Sequence, residues 1–113
     1  MTPGVQGTYQ IAYQGRYGSR TATVRLQDGT ITGMDTGGGI WKGRYKDKGG
    51  SVQVEMTVSN PGLDGGTSVL DGWKDKGFRQ VVFELPPCLD EVRELNISTN
   101  HGSLRVFLER LAD

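Results

Sequence analysis

The sequence is poor in the residues from which metal centres, disulfide frameworks and nucleophilic sites are usually built. It holds one cysteine, Cys88, and one histidine, His101. A lone cysteine cannot close an internal bridge, so a secreted disulfide scaffold is excluded and a reducing cytoplasm is the expected compartment. One His and one Cys supply neither zinc-ligand spacing nor a local Cys/His nucleophile pair, so no metal and no cofactor are expected. Charge of one sign is missing too. Thirteen Lys and Arg balance thirteen Asp and Glu in 113 residues, leaving no overall basic field to gather phosphate backbones, and nucleic acid is not an expected partner. The longest apolar runs, such as Val81-Val82-Phe83, fall far short of a membrane span of about 20 residues. The opening Met1-Thr2-Pro3-Gly4-Val5-Gln6-Gly7 has no basic flank and no apolar core of a signal peptide. Neither insertion into a bilayer nor signal-directed export is expected.

Helical periodicity is likewise scarce. No segment repeats apolar residues at i, i+3, i+4 and i+7 over three turns; the nearest approach, residues 89–95, predicts a single helical turn. What the chain has in plenty is glycine, 18 residues, more than twice the usual share of about 7% and placed mostly between apolar stretches.

Those stretches alternate with period two. Tyr9, Ile11 and Tyr13 face one way and Thr8, Gln10 and Gln14 the other; Ala22, Val24 and Leu26 repeat the pattern after a turn over residues 14–19. Asp28-Gly29 reads as a type I′ hairpin leading into a strand over residues 30–34, which ends in the glycine-rich loop Asp35-Thr36-Gly37-Gly38-Gly39. Trp41, Gly43 and Tyr45 lie opposite Lys42, Arg44 and Lys46 in the next strand, and Val52, Val54, Met56 and Val58 give the clearest strand of all. Residues 59–77 carry mostly turn chemistry, with Thr67 to Leu70 the one short strand they allow. Arg79, Val81, Phe83 and Leu85 alternate up to Pro86-Pro87. A final hairpin joins Leu95, Ile97 and Thr99 through Asn100-His101-Gly102 to Leu104, Val106 and Leu108. Seven to eight short strands joined by hairpins make neighbours antiparallel, and closing the sheet removes its exposed edges. The expected fold is all-β, a single domain over residues 1–113 formed as a small up-and-down β-barrel, with an open sandwich the alternative.

Several residues carry candidate chemistry. Asp35-Thr36-Gly37 is the string of aspartic proteases, whose mechanism needs two carboxylates sharing a proton. The retroviral pattern has apolar residues before the Asp and Ala after the Gly. Here Gly33-Met34 precede and Gly38-Gly39 follow, so the string reads as a hairpin loop and the chain as a non-enzyme with no catalytic residue. Cys88 reads as a small packed residue and His101 as an exposed turn residue. Lys42, Arg44 and Lys46 fall on the face opposite Trp41 and Tyr45, so charge and rings cannot cooperate on one base. The inward aromatics Tyr9, Tyr13, Trp41 and Tyr45 form the candidate ligand-binding set, filling an eight-stranded barrel or lining a pocket for one small molecule.

The run Gly7-x-Tyr9-x-Ile11-x-Tyr13, Val24-x-Leu26-x-Asp28-Gly29-x-Ile31-x-Gly33-x-Asp35, Gly43-x-Tyr45 and Val52-x-Val54 resembles the GrlR family of negative regulators of type III secretion genes, over roughly the first half of the chain. The resemblance implies a lipocalin-like calycin barrel, often a homodimer, that works by binding a transcriptional activator. The acidic surface motif of that family has no counterpart here, and no partner-binding residue is carried over. The expected function is a non-catalytic barrel acting through protein contact, regulatory in kind, with a lipocalin-like binder of a small apolar ligand as the alternative.

Overall fold

The computed structural model describes residues 4–16, 18–36, 38–60, 77–89 and 92–112. Eight strands follow one another: β1 (Gly7–Gly15), β2 (Gly18–Gln27), β3 (Thr30–Asp35), β4 (Ile40–Asp47), β5 (Val52–Asn60), β6 (Gly77–Leu85), β7 (Glu94–Thr99) and β8 (Gly102–Ala112). They form one antiparallel sheet in the order β6-β5-β4-β3-β2-β1-β8-β7. Because β1 pairs with both β2 and β8, the sheet curls round to bring β6 beside β7, and the result is a nearly closed up-and-down barrel, not a sandwich. Among the described residues no helix is long and apolar enough to cross a membrane. The short strand expected over Thr67 to Leu70 lies outside the described residues.

Alternation sets the wall. Tyr9, Tyr13, Ala22, Val24, Leu26, Ile31, Val52, Val54, Met56, Val81 and Leu85 are all buried in one cluster, while Lys42, Arg44 and Lys46 are exposed. Burying a side chain such as Val54 fully contributes about 1.5–3 kcal/mol, so register slips, which would turn these residues outward, are strongly disfavoured. The Asp28-Gly29 turn is built as expected, with positive φ at both residues, 52° and 81°.

Curvature needs places where backbones can approach. Gly43 faces inward on β4, and a β-carbon there would collide with the Glu55 carbonyl oxygen and come within 2.5 Å of Met56 Cα. Gly33 on β3 is similarly pressed by the Thr23 carbonyl oxygen at 2.8 Å. Two glycines on adjacent strands thus let the sheet coil tightly enough to close.

The two ends of the barrel differ. At one end Val5 and Leu89, both buried, plug the interior. Their segments are joined by a parallel bridge between Gly4 and Cys88 and by the Leu89 N–H donating to the Gly4 carbonyl at 3.0 Å. Tyr9 donates its hydroxyl to the Val5 carbonyl at 2.8 Å, and the Arg110 guanidinium donates to the Gln6 carbonyl. This corrects one expectation. Cys88 is exposed, because Leu89 takes the inward position at the bridge. The helical turn expected over residues 89–95 lies partly outside the described residues; of its span, the Val92 N–H donates to the Leu89 carbonyl and β7 begins at Glu94.

β6 and β7 share no ladder. Their seam is bridged from the β7–β8 turn by Asn100, whose side-chain amide accepts from the Val82 N–H at 2.9 Å and donates to the Gln80 carbonyl at 3.1 Å, as a strand peptide would. His101 also reaches the Gln80 carbonyl through Nε2 at 2.7 Å. His101 is therefore part-buried against the seam, a correction to the exposed turn residue expected of it.

Replacing Gly43 by Ala is expected to destabilise the barrel by roughly 1–3 kcal/mol, since the colliding atoms are backbone. Gly50→Ala, where a β-carbon meets nothing within 4 Å, should stay within about 0.5 kcal/mol of the parent. Urea unfolding midpoints of the two variants check this; equal midpoints would contradict it.

Candidate functional site

The end of the barrel away from Val5 and Leu89 is organised by one carboxylate. Asp35 shares the inward parity of Ile31 and Gly33, so it is the last residue of β3 and points into the interior, only 7% exposed. The expectation of a loop residue is corrected: the strand continues because the Thr36 N–H donates to the Thr21 carbonyl, and the Asp35 N–H to the Gly39 carbonyl, both at 2.9 Å.

An ionised carboxylate so placed must be met by donors. Gly39 donates its N–H to Oδ1 at 2.8 Å. Tyr13 from β1 donates its hydroxyl, and Trp41 from β4 its indole N–H, both to Oδ2 at 3.3 Å. The Arg20 guanidinium from β2 stands 3.9 Å from Oδ2, its side chain about one-fifth exposed. Gly39 cannot be substituted without disturbing this arrangement, since a β-carbon there would lie 2.6 Å from Oδ2. The Tyr13 and Trp41 rings meet at 5.4 Å with a 60° tilt, a geometry that aromatic quadrupoles favour. Burial, the Asp35 charge and the hydrogen bond to it raise the Tyr13 phenol well above its ordinary value near 10, while Arg20 opposes the shift.

This cluster lies in the wall of an interior cavity of about 130 Å³. The remaining wall is mainly apolar, with Val24, Met56, Val81, Ile97 and Val106 contributing from five strands. Of the four aromatics predicted for a ligand site, Tyr9, Tyr13 and Trp41 line the cavity. Tyr45 is buried but lies outside this wall, and among the described residues its hydroxyl has no hydrogen-bond partner. Arg20 and Asp35 were not among the predicted ligand residues. The signal was present in their parity, Arg20 preceding Ala22, Val24 and Leu26 in steps of two and Asp35 following Ile31 and Gly33 in steps of two.

Asp35 is enclosed by its own barrel and held by Gly39, Tyr13 and Trp41, so it does not present a face on which a second copy could place a partner carboxylate. Among the described residues no three His, Cys, Asp or Glu side chains gather at metal-binding distance.

No family model, curated protein or solved structure matches this chain.

Because the Tyr13 phenol is held protonated in the folded chain, the unfolded chain loses its proton first as pH rises through about 10, and stability falls from there upward. Tyr13→Phe should flatten that alkaline slope. In an ultraviolet phenolate titration of the folded proteins, parent and variant should release the same number of protons up to pH 11. A variant curve short of one tyrosine near pH 10 would contradict the assignment.

Proposed function

We propose that this protein is a non-catalytic binding barrel that holds one small, mainly apolar molecule in its interior. The observation that carries the reading is the cavity of about 130 Å³, walled by apolar side chains and ending in a polar cluster. A comparable apolar cavity of about 150 Å³ accepts benzene, so the expected occupant is about one ring in size. This is smaller than the pockets of about 300–1,000 Å³ that drug-sized ligands fill. The apolar wall, plugged at one end by Val5 and Leu89, and the polar cluster at the other suit a molecule with an apolar body. The assumed compartment is the cytoplasm, as a single exposed cysteine suggests.

A second reading, protein contact, draws support from the outer wall. Met34, Ile40 and Phe78 are 58%, 43% and 78% exposed. They are linked across β3, β4, β5 and β6 by the pairing of Met34 with Ile40 and of Ser59 with Phe78, and by the Ile40 N–H donating to Ser59 Oγ at 2.9 Å. The resemblance to the GrlR family favours a second copy of this chain as the occupant of that row. Sedimentation of the parent and of Phe78→Ser tests it: a dimer weakened by the substitution supports the reading, and a monomer at about 100 μM removes it.

For the cavity, toluene titrated into the labelled protein should shift the methyl resonances of Val24, Val81, Ile97 and Val106 saturably, leaving outward-facing methyls in place. At a concentration 100 times Kd it should add about 2.7 kcal/mol to unfolding stability. Absence of any saturable shift up to the solubility limit of toluene would remove the cavity reading.

A further inference from the structure

The polar side chains described in the cavity wall are already engaged by the barrel itself. Tyr9 spends its hydroxyl on the Val5 carbonyl at 2.8 Å. Thr99 donates its hydroxyl to the Gly102 carbonyl at 2.8 Å and accepts the His101 N–H at 3.0 Å. The Ser59 hydroxyl oxygen takes the Ile40 N–H at 2.9 Å. In the polar cluster Asp35 accepts from Gly39, Tyr13 and Trp41 and stands 3.9 Å from Arg20, and both ionic groups have further interactions of their own.

Tyr13 links the two charges of that cluster. Its hydroxyl donates to Asp35 Oδ2 at 3.3 Å and takes a hydrogen bond from Arg20, while its ring lines the cavity beside Trp41. An entering hydroxyl, amine or carboxylate gives up its water and must displace one of these bonds to regain a partner. Either ion also meets the neighbouring Asp35 and Arg20 charges together, attracted by one and repelled by the other. A hydrocarbon bears neither cost and gains the full benefit of burying apolar surface.

Resting on the cavity reading above, we infer that the ligand is a hydrocarbon of about one ring, bearing no hydrogen-bonding or charged group, and that Tyr13 sets this selectivity by tying Asp35 and Arg20 to its own hydroxyl. Its replacement by Phe vacates the space of that hydroxyl beside Oδ2, where the hydroxyl of a guest fits in its stead.

Four probes of one ring each test this at pH 7, followed by the same methyl shifts: toluene, phenol, benzoate and benzylamine. Phenol is neutral at that pH, its hydroxyl titrating like that of tyrosine near 10. In the parent protein toluene should bind at least about tenfold more tightly than phenol, which buries a hydroxyl without a partner, and more tightly than either ion. In Tyr13→Phe, where Oδ2 has one donor fewer, phenol should come to within about threefold of toluene. Should Tyr13→Phe fail to fold, Trp41→Phe takes its place with the same expected narrowing, since it removes the indole donor to Oδ2. Phenol bound by the parent as tightly as toluene, tighter binding of either ion, or a phenol penalty unchanged in the variant would overturn the inference while leaving the cavity reading intact. Failure of all four probes to bind would remove both.

Discussion

One end of this barrel is built around the need to satisfy one buried negative charge. Left alone in an apolar interior, the Asp35 carboxylate would cost several kcal/mol, so its surroundings must supply donors. They come from Tyr13 on β1, Arg20 on β2, Trp41 on β4 and the backbone of Gly39 in the β3–β4 connection. A single carboxylate therefore anchors Gly39 after β3, meets two aromatic rings in the wall of the cavity and, adding to the larger effect of burial, helps to keep the Tyr13 phenol protonated.

The rest of the barrel meets a different demand, that of closing eight strands around a narrow interior. Such a barrel is just wide enough to be filled by side chains or to hold one small molecule. Inward glycines at 33 and 43 permit the tight coil, and Asn100 ties the seam that β6 and β7 leave without a ladder. One end is sealed by Val5 and Leu89, whose segments are joined by a backbone bridge, and the polar cluster stands at the other. Packing and electrostatics thus divide the molecule: apolar burial holds the Val5 and Leu89 end, and a hydrogen-bonded charge holds the other.

Much of this was legible in the amino-acid order. Period-two alternation placed Tyr9, Tyr13, Trp41, Tyr45 and the valines of β5 inside, and Asp28-Gly29 announced its turn, because side-chain parity and positive φ are local properties. What escaped was set by contacts distant in sequence. Asp35 and Arg20 share the parity of their strands, but their value depends on Tyr13 and Trp41 meeting them across the barrel, and a glycine-rich string made Asp35 read as a loop. Cys88 faces outward because Gly4, far away in the chain, pairs with its backbone. His101 is drawn in by the Gln80 carbonyl across a seam that no local pattern announces. Tyr45 shows the converse: its parity correctly put it inside, yet parity cannot say which inward rings border a cavity and which are packed away from it.

The Trp41 indole N–H reports most directly on whether Asp35 governs the interior, because it is a single proton donated to that carboxylate and observable in a nitrogen-proton correlation spectrum. Its exchange with solvent should be slowed by orders of magnitude in the parent protein and should quicken strongly in Asp35→Asn while the amides of β5 keep their protection. An indole proton that exchanges in the parent as fast as in an unfolded chain would contradict the account.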